Sequence, residues 1–155
     1  MAPIKNLMFG FIACSLIVIP SGFAEFSQAR LMEIQGKAQY QKAGMEEWQD
    51  VAQDTILQEN DKIKTEPGAK IWLELTGNDK TAEVEVREST EVNFDTFQHD
   101  PEKDLDKTLL GVTKGSILIK AEKLRGDSTF EVKTPTTIAG IRGTIFEVNV
   151  DKEQN

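Results

Sequence analysis

Few residues in this chain are of a type and spacing that could do chemistry. His99 is the single histidine. No cysteine or second histidine stands near it to share a metal ion. Asp100 beside it does not by itself make a serine–histidine–aspartate arrangement. Asp100, Glu102, Asp104 and Asp106 alternate along one stretch, as oxygen ligands of calcium do. A calcium loop also needs its turn glycine and a distant glutamate. Glycine is absent there, and Pro101 and Leu105 interrupt, so a solvated acidic loop is expected. Acidic residues are spread along the chain, and no local context singles out a pair for glycoside hydrolysis. A glycine-rich phosphate loop is also lacking. The expectation is a chain with no catalytic residues, no cofactor and no metal.

Binding chemistry has better candidates. Arg142, in Arg142-Gly143-Thr144, offers five donors in a planar fork that suits a carboxylate of a partner. The competing reading gives Gly143 a special backbone angle and pairs Arg142 with a carboxylate of its own domain. Trp48 and Trp72 could form an aromatic platform for a carbohydrate or envelope polymer. The competing reading has Trp48 capping the core near the first turn. Trp72 falls between Lys70 and Glu74 on the polar side of its run, and an exposed aromatic on a sheet face hints at a binding surface.

Those residues are carried by short strands. Beyond residue 30 the apolar period is two. Ile71, Leu73 and Leu75 alternate with polar neighbours, as do Val84 and Val86, Val92 and Phe94, Ile117 and Ile119, Phe130 and Val132, and Phe146, Val148 and Val150. Each run has one apolar and one wet face, the pattern of an antiparallel sheet. Turn residues separate the runs, at Glu66-Pro67-Gly68, Thr76-Gly77-Asn78-Asp79 and Arg125-Gly126-Asp127. Gln98 to Lys107 is nearly all polar and is expected to be an exposed loop. The fold expected is all-β, one small antiparallel β-sandwich or β-roll. Ile71, Leu73, Val84, Val86, Ile117, Ile119, Phe130, Val132, Phe146 and Val148 should lie inside.

The N-terminus reads as a secretory signal. Lys5 precedes an apolar run from Leu7 to Ile19, and Gly22-Phe23-Ala24 puts small residues at −3 and −1 of a cut after Ala24. Cys14 is the only cysteine, and Ala13 before it raises lipidation as an alternative. The expected organisation is a signal peptide over 1–24, a leader and first strand over 25–45 with 25–31 only partly ordered, an all-β domain over 46–150 and a polar tail over 151–155. Loss of Lys5 takes the net charge from −8 to −9. Such an acidic chain repels phosphate backbones and anionic lipid, so no nucleic-acid partner is expected. The mature chain would contain no membrane span, because the one long apolar run leaves with the signal.

Several local patterns recur in one order. Trp48-Gln49-Asp50-Val51 comes first, then Leu57-Gln58-Glu59-Asn60-Asp61-Lys62-Ile63-Lys64-Thr65, then Lys114-Gly115-Ser116-Ile117. The last is Thr134-Pro135, followed in register by Arg142-Gly143-Thr144-Ile145-Phe146. This order resembles the FecR domain, the periplasmic part of iron-dicitrate-type transmembrane sensors, over residues 46–150. Asn60 stands where that family has glycine, and asparagine also tolerates a left-handed backbone. The resemblance implies that Trp48, Asp61, Thr65, Gly115, Thr134, Pro135, Arg142, Gly143, Thr144 and Phe146 are motif residues, and they are expected to be structural, the Arg142-Gly143-Thr144 string included. It also implies a non-catalytic interaction domain, exported to the periplasm or cell surface of a bacterium, whose partner is another envelope protein or polymer. A signal-like segment stands where the sensors have a cytoplasmic segment and a membrane helix, so sigma-factor regulation is not carried over.

Overall fold

The computed structural model describes residues 27–77 and 80–151. The signal peptide expected over 1–24, with Cys14, lies outside them, as do Asn78, Asp79 and the tail beyond Asp151. The described residues form twelve strands and no helix: β1 Gln28–Gln35, β2 Ala38–Gln41, β3 Gln49–Asp50, β4 Ile56–Leu57, β5 Lys62–Thr65, β6 Lys70–Thr76, β7 Lys80–Val86, β8 Glu91–Asp100, β9 Leu105–Ala121, β10 Thr129–Lys133, β11 Ile138–Ile141 and β12 Ile145–Val150. The fold is all-β, as the two-residue period implies.

The strands make one curled sheet in two leaves. One leaf runs β4-β1-β6-β7-β9-β12, the other β3-β2-β5-β8-β9-β10-β11. Strand β9 belongs to both. Its first half pairs with β8 and β10, and its second half with β7 and β12. All pairs are antiparallel except β9 with β10, which is parallel.

The chain passes between the leaves along one fold line, and each of four crossings there contains a residue of positive φ: Gly36, Gly68, Ser89 and Gly115. At Gly115 the requirement is strict. Its φ is +86°, and a Cβ would sit 2.5 Å from the Thr90 Cα. Only glycine both adopts that angle and lets β9 bend against the neighbouring crossing. Hydrogen bonds lace the crossings together, from the Glu66 amide to the Lys37 carbonyl at 3.0 Å and from the Arg87 amide to the Ser116 carbonyl at 3.0 Å.

Between the leaves lies the apolar core, with Leu31, Leu73, Phe94, Leu110, Ile119 and Phe130 all fully buried. Of the ten residues expected inside, nine are buried. Phe146 is only half-buried against the core, because β12 is the last strand of its leaf and has a neighbour on one side only. The N-terminal boundary also differs from expectation. The stretch 25–31 is not a partly ordered leader where it is described: Gln28 opens β1, Ala29 and Leu31 are fully buried, and β1 pairs with β6 and β4. The all-β unit thus starts well before residue 46. No helix among the described residues is long and apolar enough to cross a membrane.

Candidate binding surface

Residues 60–65 run from the β4–β5 connection, along β5, to the fold line at Thr65. Asn60 has φ +67°, the left-handed angle for which the sequence pattern calls. That turn directs the Asp61 carboxylate inward, where the residue is 2% exposed. It accepts the Lys42 ammonium at 2.7 Å and the amides of Ala43 and Gln58, each at 2.9 Å. Four residues on, Thr65 donates its hydroxyl to the Arg87 carbonyl at 2.5 Å and accepts the Thr90 amide at 3.0 Å. The Thr90 hydroxyl in turn accepts the Ser116 amide at 2.9 Å. The bonds from Thr65 through Thr90 to Ser116 hold β9 at its bend, while the Ser116 hydroxyl there is buried without a hydrogen-bond partner among the described residues.

The C-terminal motif is arranged differently. Thr134 closes a tight turn between β10 and β11, its amide donating to the Thr137 carbonyl at 2.8 Å and its hydroxyl accepting the Thr137 amide at 3.2 Å. Pro135 is exposed in that turn. Residues 142–144 then carry the chain from β11, the last strand of one leaf, to β12, the last of the other. Gly143 has φ +57°, and a Cβ there would lie 3.1 Å from the Lys123 Cα. The Thr144 carbonyl accepts the Ala121 amide at 3.1 Å and so starts the β9–β12 ladder.

Arg142 does not pair with a carboxylate of its own domain, as one of the two sequence readings expected. It is exposed and makes no ion pair among the described residues. The reason is positional, since the turn projects it past the ends of both leaves. It borders a shallow cleft of about 220 Å³ whose floor is Leu124, Phe130 and Ile141 and whose wall includes Glu131 and Gly140. Exposed apolar side chains flank this region, with Ile138 at 60% and Ile145 at 66% exposure.

Among the described residues neither tryptophan joins another aromatic. Trp48 does not cap the core. It is half-buried on the outside of its leaf, and the Lys64 ammonium lies 4.0 Å from its ring centroid. Trp72 is half-buried on the outside of the other leaf, with the Lys70 ammonium 5.5 Å from its ring. Its cross-strand neighbours are Glu33 and Glu85. Around it runs a ladder of ion pairs, Lys70–Glu85 at 3.2 Å, Arg87–Glu85 at 3.3 Å and Arg87–Glu147 at 2.6 Å. Desolvation pushes the Glu85 carboxyl up, but hydrogen bonds from Lys70 and Arg87 outweigh it and hold it below the usual carboxylate range.

The polar stretch Gln98 to Lys107 is not a loop along its length. Strand β8 runs through Asp100 and β9 begins at Leu105, leaving a tight connection over 101–104. His99 and Asp106 face each other across that hairpin. The His99 side chain is only 3% exposed, and its Nδ1 lies 2.8 Å from the Asp106 carboxylate. The Asp106 carboxylate also lies against Gly77, and the Ser128 hydroxyl accepts the Asp106 amide at 3.0 Å. Asp106, but not His99, lines a cleft of about 880 Å³ together with Lys80, Asp104, Glu122 and Arg125. Sequence reasoning missed the pairing of His99 with Asp106 because the register shifts between Phe94 and Thr96. Phe97 and His99 therefore face inward, although they are out of phase with Val92 and Phe94. The histidine serves the hairpin: no hydrogen bond joins Ser128 to it among the described residues, so no nucleophile–base relay is formed. Among the described residues no group of three or more acidic, histidine or cysteine side chains could hold a metal ion.

The model of the family described as FecR protein matches residues 61–155. The chain belongs to the FecR family. The match begins at Asp61, so it takes in the fold-line motif and the C-terminal motif and leaves out Trp48. No curated protein matches the chain, and no solved structure does. In this FecR domain the two shared motifs fall at opposite functional extremes: the first is spent on folding, whereas the second leaves a charged fork and two sheet edges facing outward.

Proposed function

We propose that this FecR domain is an exported, non-catalytic interaction module, serving envelope signalling or assembly, that holds a protein partner at its C-terminal edge. The observation that carries the reading is Arg142, an exposed guanidinium without an ion pair among the described residues. An arginine that stabilised the fold would be expected to reach one of the domain's many carboxylates. This one stands beside an apolar cleft and the open edge of β11, where an extended peptide adds as a strand and a carboxylate meets the fork. Family membership supports the signalling context.

A carbohydrate platform receives less support. Trp72 is covered by Lys70 and set among carboxylates, with no second aromatic on that face among the described residues. The reading is tested by affinity capture from envelope extract with the wild-type chain, Arg142→Ala and Trp72→Ala. Arg142→Ala should lose the captured protein and Trp72→Ala should keep it. Capture of a polysaccharide that depends on Trp72 would overturn the reading.

A further inference from the structure

The four sheet edges are not alike. On the N-terminal side, β3 and β4 are two residues each, too short to template another strand. On the C-terminal side β12 has six residues, Ile145-Phe146-Glu147-Val148-Asn149-Val150, and among the described residues it pairs only with β9. Natural edges are guarded by lysine, proline, a bulge or brevity. Strand β12 has none of these, its one charge, Glu147, is paired with Arg87, and four of its six side chains are apolar.

Its free main-chain groups can be assigned. The Thr144 carbonyl takes the Ala121 amide, and in an antiparallel ladder such bonding residues alternate. Phe146, Val148 and Val150 therefore bond to β9. Ile145, Glu147 and Asn149 turn their N–H and C=O groups away from the sheet.

We propose that β12 pairs antiparallel with β12 of a second copy of this chain, about a two-fold axis at Val148. A two-fold contact must be self-complementary, and residues opposed across strands must lie on one face. Those conditions leave few registers. An axis at Glu147 sets Glu147 against its own twin, and an axis at Asn149 sets Glu147 against Asp151, each a like-charge contact. An axis at Phe146 leaves Asn149 and Val150 without partners. The axis at Val148 puts Val148 against Val148 and Phe146 against Val150 on the inner face. On the outer face it puts Glu147 opposite Asn149, whose amide can donate to the carboxylate. In this register the outward main-chain groups of Glu147 and Asn149 bond each other across the axis. The half-exposed Phe146 gains the neighbour that its edge position denies it. This contact uses β12, whereas the partner cleft lies against β11, so the two can be tested separately.

The test uses the full chain and reads mass by sedimentation from about 1 μM to about 200 μM, a range suited to a contact below standard interface size. The wild type should be a dimer in the upper part of that range. Asn149→Glu places two like charges opposite Glu147 and should remain monomeric throughout, with an unchanged melting temperature because Asn149 is exposed. Asn149→Lys places opposite charges there and should dimerise at least as tightly as the wild type. A wild type that stays monomeric throughout would overturn the proposal. So would a dimer that both variants leave equally intact.

Discussion

Two stretches of this molecule belong to the same family pattern and are used in opposite ways. Along residues 60–65 two polar side chains are turned inward and met: Asp61 by one ammonium and two amides, Thr65 by the main chain of the one crossing between β7 and β8. Along residues 134–144 the turn polar groups satisfy one another locally, and the one strong charge, Arg142, points to solvent. The difference follows from position. The first stretch runs from the buried β4–β5 turn at Asp61 to the fold line at Thr65, and losing the partner of a polar group at either end would be expensive. The second lies beyond the last strands of both leaves, where water meets every group at no cost. A shared motif thus does not imply a shared task, and burial separates its structural part from the part free to bind.

The sharpest way to break the first half of that comparison is Gly115→Ala. It forces a side chain into a left-handed angle and against the Thr90 main chain, and should cost about 3 kcal/mol or more, read as a fall in denaturation midpoint. Asp61→Ala should cost about 2–3 kcal/mol in the same assay, because two amides and a half-buried ammonium lose their acceptor. If Asp61→Ala melted like wild type, the inward carboxylate would not be what holds the turn into β5.

Smaller effects are expected toward the C-terminal edge. Phe146→Ala removes a half-buried ring from an edge strand and should cost about 1–2 kcal/mol, less than the roughly 3–5 kcal/mol of a fully buried phenylalanine. Gly143→Ala imposes positive-φ strain with a tight approach to Lys123 and should cost about 1 kcal/mol. A loss from Phe146→Ala as large as that from Asp61→Ala would erase the contrast between fold line and edge.

Much of this architecture was legible in the sequence, because the two-residue alternation is the burial pattern itself. Nine of the ten expected core residues are buried. Alternation says which face a residue takes but not which strand ends the sheet, so Phe146 was read as interior. It also fails where a bulge resets the phase. The register shift after Phe94 hid the inward turn of His99 and made a paired hairpin look like a polar loop. The polar strand start of β1 and the sparse apolar residues around it concealed that Ala29 and Leu31 are core. At the candidate site the sequence marked Arg142 and Gly143 but left open whether the arginine pairs internally, since that depends on which carboxylates the fold brings within reach.

On the proposed function, the C-terminal motif binds a partner while the motif of residues 60–65 serves the fold. That division is tested most directly by affinity capture from envelope extract with Arg142→Ala, using a preparation whose melting temperature is measured alongside. Capture of the partner should be lost while stability stays within about 0.5 kcal/mol of wild type, as for an exposed side chain without structural partners. An Arg142→Ala chain that still captures the partner, or one that loses capture only because it melts several degrees lower, would contradict that division.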